Sequence, residues 1–352
     1  MSKKYLITIK PLEPYFFGGE QTFGEGDDAN YYAVSLSLPQ QTTLMGMLRK
    51  EILVQSNLFK FDYSYSSDEK LKINEFIGER SFDIQKISTE GKRSFGIIER
   101  ISPVFFNKNG LFYNLGPFDH DVVFKIDNDA KSYLIKEQRQ AFFLENLNKN
   151  YEKEIIVRKD NENFIYDKSE VDSLFVPVQK IGITKNKTDK EDEEFYKKNS
   201  FMLKEGFAFS FIAELNEDKF TLKNNIVYIG GDGSKFSMEV AETDNTYEQM
   251  FSALKSKYKN SLTLISDALV DPEIYNYCEF AFTDTVDLRH IITSTGNYKF
   301  EKNKSKSLRY SLIKRGSVLY FSESIQIKNT ENILNNEALK QVGYNIYNIN
   351  KE

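Results

Sequence analysis

Between Tyr5 and Arg49 the chain writes a strand, a glycine-rich loop and a helix in direct succession, and that order restricts the fold more than any other feature. Tyr5 to Lys10 sets Tyr, Ile and Ile on one face and Leu, Thr and Lys on the other, the period of a half-buried strand, and Pro11 follows. From about Pro39, Leu44, Met47, Leu48 and Ile52 recur at helical spacing as one apolar stripe, with Arg49 and Lys50 at its flank. A strand, a long loop and then a helix open an α+β unit whose helices cover one sheet face, as in ferredoxin-like or RRM-like folds.

The loop between strand and helix holds Gly18, Gly19, Gly24 and Gly26. Glycine lets another backbone approach closely, so the loop is shaped to receive something as well as to turn. Pro39 suits the first turn of a helix, and Gln40, Gln41, Thr42 and Thr43 surround amide groups that favour an anion. Together with Thr22, these residues form a candidate cradle of neutral donors for a phosphate. Ordinary turn formation and helix capping are the commoner uses of the same residues.

At 352 residues the chain exceeds what one core usually supports, which predicts two domains, here taken as 1–172 and 173–352. Its 29 Phe and 21 Tyr favour substantial sheet. A lone cysteine, Cys278, excludes a disulfide framework within the chain and any cysteine-built cluster. The start MSKKYLITIK has no signal-peptide run and no stretch approaches a membrane span, so a cytoplasmic protein is expected. The net charge of −5 argues against a generally basic nucleic-acid binder. Charge is nevertheless concentrated: Arg289, Lys299, Lys302, Lys304, Lys306, Arg309, Lys314 and Arg315 face one acid, Glu301, in a single segment. A solvated loop would read the same way.

Asn109-Gly110 between two aromatic runs predicts a tight hairpin. Asp62 to Ile73 reads as a surface connection, Ala130 to Lys149 as helix, and Asn150 to Asp172 as irregular. Lys185 to Lys198, almost wholly polar, reads as an exposed loop or arm, and Gly206 to Leu215 as a strand. Ile229-Gly230-Gly231-Asp232-Gly233 is a second close-approach loop, and Ile333 to Lys340 is expected to be helical.

Catalytic chemistry is thinly represented. The two histidines, His120 and His290, lie away from the glycine loop and the first helix. Asp27, Asp28, Asp119 and Asp121 form acid pairs whose ordinary use is in turns, and Gly231-Asp232-Gly233 lacks the lysine and hydroxyl of a phosphate-binding P-loop. No metal and no cofactor are expected. Binding of single-stranded RNA needs neutral donors, cations and aromatic rings together: the cradle supplies the first, Arg49, Lys92, Arg93, Lys180, Lys185, Arg309, Lys314 and Arg315 the second, and Phe16, Phe17, Phe23, Tyr31 and Tyr32 the third.

KPLEPYFFGGEQTFG and LPQQTTLMGMLRKEIL are followed in order by SFGIIERISPVFFNKNGLFYNLGPFD, VPVQKIGITKNKTDKEDEEFYKKNSFMLKEGFAFSFIAEL, VYIGGDGSKF and LIKRGSVLYF. Across nearly the whole chain this succession resembles the RAMP-superfamily subunit that caps the CRISPR RNA 5′ end in type III-B (Cmr) interference complexes. The resemblance implies two ferredoxin-like domains with elaborated loops and no cleavage activity of its own. The implied partners are the 5′ tag of the guide RNA, the large polymerase-domain subunit and the first backbone RAMP subunit, with no membrane. Carried over by position, Gly18 and Gly19, Gln40 to Thr43, the Lys180 to Gly182 turn and the Lys314-Arg315-Gly316-Ser317 turn become the tag and partner contacts. Val342-Gly343-Tyr344-Asn345 lacks the second glycine of a RAMP glycine-rich loop. An RNA-cutting RAMP relative, for which Tyr31, Tyr32 and Arg49 are candidates, and a purely protein-binding scaffold are the alternatives.

Overall fold

The computed structural model describes residues 2–18, 21–22, 31–62, 64–79, 82, 94–119, 155–159, 162–166, 174–185, 193–216, 220–230, 232–244, 251–256, 258–288 and 309–351. The chain opens with β1 (Ser2–Pro11), the short β2 (Gln21–Thr22) and β3 (Tyr31–Val34), then α1 (Gln41–Gln55) and α2 (Ser67–Ile77). Strands β4 (Ile98–Ile101), β5 (Phe105–Lys108), β6 (Leu111–Leu115), β7 (Ile155–Lys159) and β8 (Glu162–Tyr166) follow. Next come β9 (Phe175–Lys185), β10 (Glu193–Leu203), β11 (Phe207–Asn216), β12 (Asn225–Ile229) and β13 (Ser234–Glu242). The last part holds β14 (Ser261–Leu264), a short 3-10 helix (Pro272–Asn276), β15 (Phe280–Phe282), β16 (Thr285–Leu288), β17 (Tyr310–Ile313) and β18 (Val318–Tyr320). It closes with α3 (Ser324–Leu334), α4 (Glu337–Gln341) and β19 (Tyr347–Asn350).

Tyr5, Ile7 and Ile9 of β1 are buried, as their alternation requires, and so are Leu44, Met47, Leu48 and Ile52 of α1. β1 lies between β13 and β11, antiparallel to both, and β11 pairs in turn with β4 and β5. In order of appearance this is fourth, first, third, second, the antiparallel arrangement of a ferredoxin-like unit, with α1 and α2 in its first crossover. Among the described residues, the second crossover holds β12 in place of a helix. The last part repeats the pattern: β19, β14, β18 and β15 are neighbours, all antiparallel, with α3 and α4 in the second crossover. The chain is therefore α+β, built of two ferredoxin-like units. Leu288, Leu312, Leu339, Val342 and Tyr344 of the second unit join the core formed by β1, α1 and β11, so the units share apolar packing.

The first sheet straddles residues 172/173, where the sequence reading divides the chain. Sheet neighbours need not be chain neighbours: Tyr5 sits opposite Ala213 on one side and Glu242 on the other. Two local expectations are also corrected. Part of the polar stretch Asp62 to Ile73 is helical, because the Ser66 hydroxyl and the Glu69 carboxylate form a reciprocal capping box and Ile73 and Ile77 bury one face. Asn150 to Asp172 contains the β7–β8 pair. The expected hairpin is present, with Asn109 at φ 54° and Gly110 at φ 83° joining β5 to β6. The expected helix at 130–149 lies outside the described residues. No helix among the described residues is long and apolar enough to cross a membrane.

Candidate nucleic-acid interface

The glycine loop leaves β1 through a fixed turn. Tyr15 is fully buried, and its ring contacts Phe17, Phe209 and Phe236 at centroid separations of 4.5, 5.6 and 5.8 Å. The Phe17 amide donates to the Ser35 hydroxyl at 2.9 Å, and the Leu36 amide to the Gly18 carbonyl at 2.9 Å. Gly18 adopts φ +75° with open space where a side chain would stand. Gly230 holds the turn from the other side: a Cβ there would meet the Phe16 carbonyl oxygen at 2.2 Å. Phe16 and Phe17 are buried, so neither offers a free face for stacking on a base. Gly19 and Phe23 lie outside the described residues.

Beside this turn runs an arm. β9 and β10 pair antiparallel from Phe175–Leu203 to Lys185–Glu193, and β3 lies parallel to β10 with β2 beyond it. Thr22 sits on β2, opposite Tyr32. The Lys185 to Lys198 stretch, expected to be an exposed loop or arm, is strand at Lys185 and from Glu193 onward, with 186–192 outside the described residues. Lys180 and Gly182 lie within β9 rather than in a turn, and Gly182 faces Tyr196. Lys180 stands directly opposite Lys198. Side chains directly across a ladder share a face, and like charges there repel. Lys198 Nζ lies 4.4 Å from the centroid of the Phe16 ring and also pairs with Asp232. Burial first, and then the charge of Lys180, lowers the Lys198 pKa. An anion placed between the two ammonium groups would relieve both effects.

The start of α1 is organised differently. The Gln40 side-chain amide donates to the Asp287 carbonyl at 2.8 Å. Gln41 is fully buried; its Nε2 donates to Ser102 and Val342 carbonyls at 2.9 and 3.1 Å, and its Oε1 accepts from the Val104 amide at 3.1 Å. Thr42 lies beside the Tyr344 hydroxyl, whose pKa burial pushes up. The Thr43 amide donates to the Gln40 carbonyl at 2.9 Å. The donors of Gln40 and Gln41, expected to face a phosphate, are thus engaged by protein carbonyls in the seam between the units. Val342 to Asn345 is buried there too, and a Cβ on Gly343 would meet Gln41 Nε2 at 2.2 Å.

Two arginines expected at the RNA surface hold the frame. Arg49 is 6% exposed; its Nε donates to the Ile77 carbonyl at 3.0 Å and its Nη2 reaches the Gly78 carbonyl at 3.4 Å, tying α1 to the end of α2. Arg315 is 4% exposed, with Nη1 on the Val104 carbonyl at 2.8 Å and Nε 3.5 Å from Asp267. Lys314 pairs with Asp284 at 3.1 Å, and the exposed Arg309 with Asp287. The described end of the basic segment is therefore matched, cation by cation, with aspartates of the second unit; 289–308 lie outside the described residues, as do Lys92, Arg93, His120 and His290. Asp119 is fully buried and accepts hydrogen bonds from the Ser256 and Tyr320 hydroxyls.

Of the expected contacts, the structure brings Gly18, Thr22, Lys180 and Gly182 to the turn and arm, and Gln40 to Thr43, Arg309, Lys314 and Arg315 to the seam. Lys198 was missed. No local pattern marks it, since neither Tyr196, Lys198, Ser200 nor Lys197, Asn199, Phe201 forms an apolar face.

Two ferredoxin-like units with a shared core, one of them carrying a long strand arm, define a subunit of RAMP build. The chain belongs to the family of the CRISPR-associated protein Cas_Cmr3, whose model matches residues 7–161 and 129–350. This makes it a subunit of the type III CRISPR effector kind. Among solved structures it is similar to a chain in the cryo-EM structure of the type III-B Cmr-beta bound to cognate target RNA. That similarity has a TM-score of 0.51 at 16% identity, covering 98% of this chain and 96% of the other. A second Cmr-beta structure, bound to target RNA and AMPPnP, gives a TM-score of 0.47 at 17% identity over 92% and 88% of the two chains. The Csm3-Csm4 subcomplex of the type III-A interference complex gives 0.37 at 13% identity over 90% and 92%. No curated protein sequence matches the chain.

Proposed function

We propose that this chain holds the 5′ tag of the CRISPR RNA within a type III effector without cutting it, and joins the large polymerase-domain subunit to the backbone filament. The observation that carries this reading is the Lys180–Lys198 pair on the arm, next to the turn at Phe16 to Gly18. The two cations repel across the ladder and Asp232 counters only Lys198, so a phosphodiester backbone running past both would turn the remaining repulsion into attraction. Family membership and the likeness to a chain of the Cmr-beta assembly, which is bound to cognate target RNA, support RNA as that ligand. The turn offers backbone close to that charge, which suits a strand end recognised by its backbone.

The test uses the assembled effector and the purified chain with repeat-derived RNA, intact or lacking the tag. Tagged RNA is expected to bind more tightly and to be recovered at full length in metal-free buffer. Equal binding without the tag would remove tag reading, and cutting at a fixed position by the purified chain would overturn the non-catalytic role. Because only protonated lysine attracts phosphate, affinity should be full at low pH and fall as pH rises through the lowered Lys198 pKa, sooner than for an ordinary lysine.

A further inference from the structure

A cavity of about 570 Å³ opens between the two units, bounded by β4 and β11 of the first and by α4 and the approach to β19 of the second. None of the arm lysines lines it. We propose that it receives an extended basic segment of a partner protein. Its walls include Pro103, Ile212 and Phe251, which suit the aliphatic stems of lysine and arginine. Of its two cations, Arg100 is paired, its Nε 2.5 Å from Glu214 Oε2, and Lys340 Nζ donates to Asn335 Oδ1 at 2.5 Å; with Glu99, Glu214 and Glu337 the lining is net acidic. The Asn348 amide is likewise spent, on the Phe251 and Leu254 carbonyls.

Two carboxylates remain open to such a segment. Glu99 and Glu337 line the cavity with no ion-pair partner among the described residues. Gln341 also lines it and is 5% exposed, and its buried Oε1 has no hydrogen-bond partner among the described residues. Two carboxylates without a counter-charge beside an apolar wall favour a ligand that brings donors and positive charge. Lysine and arginine side chains supply both, whereas a nucleic acid would meet the two carboxylates with its phosphates. The volume is that of a ligand larger than one side chain, since pockets of about 300–1,000 Å³ hold whole drug-sized molecules. Apart from a bridge between Ile98 and Phe95, β4 pairs among the described residues with β11 alone, so an extended segment also has a strand edge to run beside over Glu99 to Ile101.

The probe is a short fluorescent peptide alternating arginine and valine, titrated into the purified full chain, with a glutamate–valine peptide and spermine as comparators. The arginine peptide is expected to bind, and Glu99→Gln with Glu337→Gln to weaken it roughly tenfold, the scale of losing two solvent-screened ion pairs. A matched control, Glu205→Gln with Glu273→Gln, removes exposed acids that do not line the cavity and should leave binding unchanged. These glutamines preserve shape, and thermal melts of both variants should overlay the parent. No binding by the parent chain, equal binding by the cavity variant, an equal loss in the control, or displacement of the peptide by spermine at matched charge would each overturn the proposal. RNA binding at the arm plays no part in the readout.

Discussion

Arg315→Ala is expected to destabilise the protein by about 3–5 kcal/mol, the range for removing one partner of a buried ion pair. Urea unfolding of the purified chain would show it as a lower midpoint. The guanidinium links the units: it donates to the Val104 carbonyl before β5 and sits beside Asp267, which also accepts the Arg315 backbone amide at 2.9 Å. Alanine would leave the carbonyl without its donor and the carboxylate with its charge unmatched at a site only 14% exposed. Lys314→Ala next door should shift stability by no more than about 1 kcal/mol, because its pair with Asp284 is open to solvent and screened. RNA affinity per folded molecule should be unchanged in Arg315→Ala, which separates a framework arginine from an RNA-binding one. A loss of RNA affinity at full stability would restore Arg315 to the interface.

Lys180→Gln combined with Lys198→Gln is expected to act in the opposite sense. Stability should stay within about 0.5 kcal/mol, since a repelling cross-strand pair and one partly exposed ion pair disappear together. RNA affinity should fall on the order of a hundredfold if each lysine contributes about 1.4 kcal/mol to a phosphate. The slope of log affinity against log salt should shrink by about 1.4, since each single-strand phosphate that a lysine no longer neutralises removes about 0.7. A fall in affinity with an unchanged slope would mean that these lysines act through the shape of the arm and touch no phosphate.

Elements that answer to local chemistry were legible in the sequence. The alternation of Tyr5, Ile7 and Ile9, the stripe of α1 and the Asn109-Gly110 turn each state their structure within a few residues. What could not be read locally depends on distant partners. β10 needs no apolar alternation over its polar residues because it is held between β9 and β3 rather than on the core. That one sheet crosses the 172/173 division could not be read locally either, because β11 and β13, late in the chain, complete the sheet around β1. At the candidate site the residue types were sound, but their exposure was not visible. Gln41, Arg49 and Arg315 carry the donors that RNA binding requires, yet each is buried against carbonyls contributed from elsewhere in the chain. Lys198 was hidden by the same limit, since its neighbour Lys180 becomes a neighbour only when the arm forms.

The central claim is that the tag lies along the arm, beside the turn at Phe16 to Gly18. Guide RNA carrying 4-thiouridine through its 5′ tag can be assembled into the effector and irradiated, and the crosslinked peptides of this subunit identified by mass spectrometry. Crosslinks within residues 175–203 and at the 16–18 turn are the predicted result. Tag crosslinks confined to the seam around Arg309 to Ser317, with the arm unlabelled, would contradict it.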